Sequence, residues 1–182
     1  MMVTDIVGFA STVIRLGNEK AQALMRDHNR MLRKCIALHN GHEIAHTGDG
    51  IMASFNSAPE GANCALAFQE ECSRYVGGHG TTIRVRIGLD AGEALVEEDR
   101  LFGSMVNAAV RICNQAAAGQ VLASPAVTSR LDLTLFSLRP LGFVALKGFP
   151  QPLPLHEVRH MAPLGEYERK RPTGEIPGRT DR

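Results

Sequence analysis

The sequence has no excess of charge of either sign. Its 182 residues carry 20 basic and 19 acidic side chains, a formal net charge of +1. A broad electrostatic nucleic-acid surface needs a clear basic excess, so no nucleic-acid partner is expected, although a small local site for a phosphorylated ligand is still allowed. No apolar run approaches the roughly 20 residues that span a bilayer. The N-terminus lacks a basic-then-apolar signal pattern. The expectation is a cytoplasmic protein with no membrane partner. Cysteine is sparse: Cys35, Cys64, Cys72 and Cys113 form no zinc-ribbon or thioredoxin pair and read as buried free thiols. No internal repeat is present. With 44% hydrophobic and 21% charged residues, the chain reads as one globular domain with an adequate core.

What is present is an alternation of short extended runs and amphipathic helices. Met1 to Thr4 reads as a short strand with Asp5 at its exit and Gly8 beyond. Ala21, Leu24, Met25, His28, Met31, Leu32 and Cys35 recur at helical spacing, predicting a helix over Asn18 to Asn40 that stops at Gly41. Gly48-Asp49-Gly50 between extended runs signals a hairpin. Ser57 and Glu60 form a capping box ahead of a second helix that runs to about Tyr75. Thr81 to Leu89 alternates as a strand, with Ile83, Val85, Ile87 and Leu89 on one face and Arg84 and Arg86 on the other. An extended run over Ala94 to Val96 follows, then a helix over Met105 to about Ala116. A strand over Gln120 to Ala123, a short helix from Pro125, and strands over Phe136 to Leu146 and Leu153 to Val158 complete the order. That order predicts an α+β fold, with helices packed on a mostly antiparallel sheet, over residues 1–158. Arg159 to Arg182 has few large apolar groups and reads as a mobile tail.

Two aspartates stand at glycine-rich turns, Asp5 in TDIVGF and Asp49 in TGDG. A hard divalent cation wants oxygen ligands, typically one or two carboxylates plus substrate phosphates, and neighbouring glycines let backbone approach a phosphate. Aspartate also simply favours turns. Asn107 and Arg111 lie four apart on one helix face. That arginine is either a solvated charge or a group projecting into a cleft to stabilise phosphoryl charge. Lys147, in LKGFPQP, is unremarkable by itself.

Taken together, TDIVGF, TGDGIMASF, RIGLDAGE, LFGSMVNAAVRI and LKGFPQPLPLHEV resemble, in order and spacing, the class III nucleotidyl cyclase catalytic domain of adenylate and guanylate cyclases. The resemblance runs from Met2 to about Val158. It implies a ferredoxin-like cyclase homology domain and conversion of a purine nucleoside triphosphate, ATP ahead of GTP, to the 3′,5′-cyclic monophosphate and pyrophosphate. It implies two Mg²⁺ or Mn²⁺ ions on Asp5 and Asp49, with the backbone of Ile6, Val7, Gly8 and Phe9 helping to hold metal and triphosphate. Asn107 matches the residue that orients the ribose, Arg111 the arginine that stabilises the transition state, and Lys147 the lysine on the terminal phosphates. Family members are dimers whose sites take the metal aspartates from one chain and the asparagine–arginine pair from the other, so a homodimer is expected.

The pattern breaks at the base. The adenine-reading lysine position holds Ala45, and the aspartate position holds Arg100 with Asp99 beside it. An alanine cannot donate to a purine ring, and Arg100 offers donors where the family offers an acceptor. Asp99 and His46 are the next candidates for reading the base. The first strand, with only four residues before Asp5, is expected to be short or frayed. A catalytically degenerate module that binds nucleotide or a partner is the alternative reading. A diguanylate cyclase would carry a GGDEF-type string, which is absent.

Overall fold

Alternation in V-R-I-G-L puts Val85, Ile87 and Leu89 on one face of strand β4 (Val85–Leu89) and Arg86 and Gly88 on the other. The computed structural model, which describes residues 1–77, 80–93, 95–97 and 100–161, places β4 near the middle of a seven-stranded sheet. The other strands of that sheet are β1 (Met2–Ile6), β2 (His42–His46), β3 (Ile51–Ser54), β7 (Val121–Ala123), β8 (Phe136–Val144) and β9 (Leu153–His160). Their order is β2-β3-β1-β4-β7-β9-β8. Every pairing is antiparallel except that of β4 with β7. The hairpin of β5 (Leu95–Glu97) and β6 (Arg100–Phe102) stands apart. This is the α+β arrangement that the element order predicts.

Helices cover the two faces differently. On one, Met2, Ile6, Ile51, Ala53, Val85, Ile87 and Leu89 pack with Leu24, Leu32 and Ile36 of α2 (Asn18–Leu38) and with Ala62, Ala65 and Phe68 of α3 (Ala58–Arg74). On the other lies α4 (Ser104–Gln115). Its Ala109 and Cys113 meet Val3, and its Ala108 and Ile112 meet Leu122 and Leu155. The helix comes close because β4 has Gly88 beneath it: a Cβ there would lie 2.3 Å from the Cys113 nitrogen and 2.4 Å from the Ala109 oxygen. All four cysteines are buried and free.

Several boundaries differ from the sequence expectation, each for a tertiary reason. β1 runs through Asp5 and is not frayed. It is sandwiched between β3 and β4, with Met2 and Thr4 fully buried. A helix not expected from the sequence, α1 (Phe9–Leu16), follows Gly8; its Phe9, Thr12, Val13 and Leu16 are half-buried at helical spacing, but it spans only eight residues between Gly8 and Gly17. The α2 stop uses Asn40 in the left-handed region (φ 55), with the Gly41 N–H reaching the Ile36 oxygen at 2.9 Å. The expected capping box does form, with Ser57 and Glu60 satisfying each other's backbone. Residues 81–84 lie outside the strand. β9 extends to His160, because Arg159 and His160 pair with Ser137 and Phe136 of β8. Ala94, Asp99 and the rest of the expected tail, 162–182, lie outside the described residues.

Candidate active site

The registers place the acidic pair. Asp5 lies opposite Arg86 on β4, on the face that carries Val3 and α4. The β2–β3 turn brings up Asp49. Thr4 anchors that turn, its hydroxyl oxygen accepting the Ile51 N–H at 3.0 Å and its O–H donating to the Ile51 carbonyl at 3.3 Å. Gly50 then sits directly on β1, where any Cβ would overlap the Thr4 carbonyl oxygen. The two carboxylates therefore face each other. Partial burial, then the hydrogen bond and charge of Asp5, push the Asp49 carboxyl above its ordinary value.

Two facing carboxylates need a cation. Arg86 supplies one: its Nε and Nη2 each lie 2.6 Å from Asp5 Oδ2, and its Nη1 lies 3.4 Å from the Asn114 carbonyl in the last turn of α4. In the sequence Arg86 is marked only as one of the polar positions facing away from Ile83, Val85, Ile87 and Leu89, and it is not among the candidate site residues. Its signal was a polar position within an otherwise apolar strand alternation. Among the described residues no third His, Cys, Asp or Glu completes a metal cluster. His42 and His46 stand four apart, a zinc spacing on a helix, but they lie on strand β2. A carboxylate pair with hard oxygen donors, short of a full cage, fits Mg²⁺ or Mn²⁺ shared with substrate oxygens.

Next to Asp5 the chain turns into α1 through Gly8, in the left-handed region at φ 73, and no side chain caps the helix. Its first N–H groups have no side-chain partner, which leaves them able to receive an anion. Of the backbone donors expected here, the Val7 N–H is already bonded to the Arg84 carbonyl at 2.8 Å. That leaves the turn at Gly8 and Phe9 for a ligand. Ile6 is buried on the opposite face, so only its backbone is available.

Asn107 and Arg111 are not brought to the acidic pair. They lie on the flank of α4 away from Ala109 and Cys113, Asn107 exposed and Arg111 half-buried. No hydrogen bond or ion pair joins them to Asp5 or Asp49 among the described residues. Lys147 is exposed in the β8–β9 turn, and its neighbour Leu146 packs on Ala108 and Ile112, tying that turn to α4. Within one protomer the acidic pair and the Asn107–Arg111 flank of α4 are thus separate, with the Lys147 turn tied to α4 through Leu146.

A β-bulge sorts the base-reading positions. Pairing shifts between Glu43 and Ala45, so Glu43 and His46 both lie opposite core residues, Ala53 and Ile51, while Ala45 lies opposite Met52. Met52 packs with Val3 on the α4 face. Ala45 therefore faces the same side of the sheet as Asp5. His46 faces the α2 side, where Arg33 holds it at 2.9 Å and pairs with Glu43 at 2.7 and 3.1 Å. That orientation removes His46 as a candidate base reader. Of Arg100 only the backbone, paired with Glu97, is described.

The family model for the adenylate and guanylate cyclase catalytic domain matches residues 1–160. Adenylate cyclase 1 of Rhizobium meliloti is 29% identical over 179 residues, covering 86% of this chain and 27% of that protein. The serine/threonine-protein kinase pkn2 of Myxococcus xanthus is 27% identical over 175 residues, covering 91% of this chain and 21% of that protein. The chain thus spans about a quarter of the length of these curated relatives or less. The crystal structure of the adenylyl cyclase CyaB from P. aeruginosa superposes with a TM-score of 0.76 at 20-odd per cent identity (21%), covering 88% of this chain and 93% of that one.

Proposed function

The chain belongs to the adenylate and guanylate cyclase catalytic domain family, and we propose that it cyclises a purine nucleoside triphosphate at composite sites formed by two copies. The observation that carries this reading is the facing pair Asp5 and Asp49, set beside the uncapped start of α1. When bound, divalent ions on that pair would supply activation of the ribose 3′-hydroxyl and neutralisation of the triphosphate.

The chain's own residues do the rest. Asp5, Asp49 and the Ile6 carbonyl would hold the ions. The N–H groups at Gly8 and Phe9 donate to phosphate oxygens, and Arg86 adds a positive charge on the same face. From the second protomer, Asn107 hydrogen-bonds the ribose and aligns the 3′-hydroxyl on the α-phosphorus. Arg111 stabilises the charge that develops as the new P–O bond forms and the bond to pyrophosphate breaks. Lys147 meets the terminal phosphates. The separation of the two halves within one protomer favours this head-to-head assembly, because a two-fold axis then completes two sites at once.

A second reading, a nucleotide- or partner-binding module without turnover, draws on Ala45 and Arg100. They leave no lysine–aspartate pair for adenine. Turnover decides between the two. Purified protein is assayed with ATP and GTP in parallel, each with Mg²⁺ and with Mn²⁺. Cyclic nucleotide formation that depends on Asp49 supports the cyclase. Nucleotide binding with no product under all four conditions supports the module.

A further inference from the structure

We propose that Arg86 is a built-in counter-ion that competes with divalent metal for Asp5, so that the chain binds metal tightly only once Arg86 has left that carboxylate. The inference rests on the cyclase reading and adds to it an order of events at the acidic pair.

The geometry is asymmetric. Both Nε and Nη2 of Arg86 converge on one oxygen, Asp5 Oδ2. The contact is sheltered, with side-chain exposures of 30% for Arg86 and 24% for Asp5, so solvent screens it only partly. Charge counting favours exchange over addition. Two carboxylates and one guanidinium leave a single negative charge, which a divalent ion would overfill. With Arg86 gone, the ion matches the two carboxylates. Arg86 also has somewhere to go. Its Nη1 already reaches the Asn114 carbonyl, at the end of α4 where the helix dipole favours a cation. A polyanionic substrate approaching the same face gives the guanidinium a second destination. Metal and nucleotide would therefore bind with positive coupling, each removing an obstacle to the other.

The test reads metal, not turnover. Free Mn²⁺ is measured by electron paramagnetic resonance during titration of the nucleotide-free 182-residue chain, for the parent and for R86Q, R84Q and the double variant D5N/R86Q, with circular dichroism confirming each fold. R86Q is expected to bind Mn²⁺ about tenfold more tightly than the parent, as expected from removing a charge-assisted pair at a partly sheltered site. Arg84 is an exposed arginine at the same end of the sheet, with no hydrogen bond or ion pair to Asp5 among the described residues. R84Q is expected to leave affinity within about twofold, since it removes the same charge without freeing the carboxylate. R86Q binding no more tightly than the parent overturns the proposal. So does equal tightening by R84Q, which would reduce the effect to diffuse charge. The cyclase reading fails separately: Mn²⁺ binding by the D5N/R86Q double variant equal to that of R86Q, where no guanidinium covers the carboxylate, would take Asp5 out of the metal site altogether.

Discussion

Gly50 and Thr4 touch so closely that no side chain fits between them: a Cβ on Gly50 would lie 1.8 Å from the Thr4 carbonyl oxygen. The obstacle is backbone in a central strand, so it cannot rotate away. G50A is expected to lose at least about 2 kcal/mol of stability and, where folded, to carry Asp49 away from Asp5. Urea denaturation of parent and variant measures the first effect. Loss of Mn²⁺ binding in protein that still folds measures the second.

Two inactive variants should rescue one another. D49N removes the acidic half and R111A the other half, and each alone is expected to lose about a hundredfold or more in turnover. In a freely exchanging equimolar mixture, half of the dimers are mixed, and each mixed dimer has one intact site. About a quarter of parental activity should return, as two-fold symmetry requires. Sedimentation of the parent should give about twice 19.7 kDa. A mixture no more active than its components would show that both halves act within one chain.

Base selection should be weak in the parent and open to repair. Ala45 faces the side of the sheet that carries Asp5, so a lysine there would project toward the nucleotide. A45K combined with R100D is expected to shift the kcat/KM ratio toward ATP by about tenfold, equivalent to about 1.4 kcal/mol. H46A should leave the ratio unchanged, because Arg33 and Glu43 hold His46 on the opposite face. A change of selectivity in H46A would mean that β2 is twisted differently in the assembled enzyme.

Acid should weaken the domain through His28. Its ring is fully buried against Phe68, with centroids 5.3 Å apart, and its Nε2 has no partner among the described residues. Burial holds its pKa below the ordinary 6.5. As pH falls through 6.5, the unfolded chain takes up the proton first, so stability present above that value is lost between it and the lower folded pKa. The urea midpoint of the parent should fall between pH 7.5 and pH 5.5. In H28M, where nothing titrates at this position, that part of the decline should disappear.

The local signals in the sequence correspond to physics that is itself local. A capping box needs only the four residues from Ser57 to Glu60. The apolar phase of α2 and of β4 is written in steps of three to four and of two, and the Gly-Asp-Gly turn is legible because its backbone must reverse within three residues. The order of those elements sufficed for an α+β sheet with helices, and the motif series placed Asp5, Asp49, Asn107 and Arg111 as candidates. Helix α1 escaped notice because its half-buried stripe of Phe9, Thr12, Val13 and Leu16 runs for only eight residues between two glycines, too short a window for periodicity to stand out.

What only the tertiary structure decided depends on residues far apart in the chain. Asp5 and Arg86 are 81 positions apart, and nothing near either one says that antiparallel pairing of β1 with β4 will set them opposite each other. The bulge in β2 reverses the facing of Glu43 and His46 relative to simple alternation, because register is set by the neighbouring strand and by the core against which it packs. The separation of the Asn107–Arg111 flank from the acidic pair likewise follows from α4 lying down on Gly88. Sequence determines which side chains are available and which turns and helices form around them. Only packing, which fixes register and facing by excluding every arrangement that leaves the apolar side in water, decides which of those side chains meet.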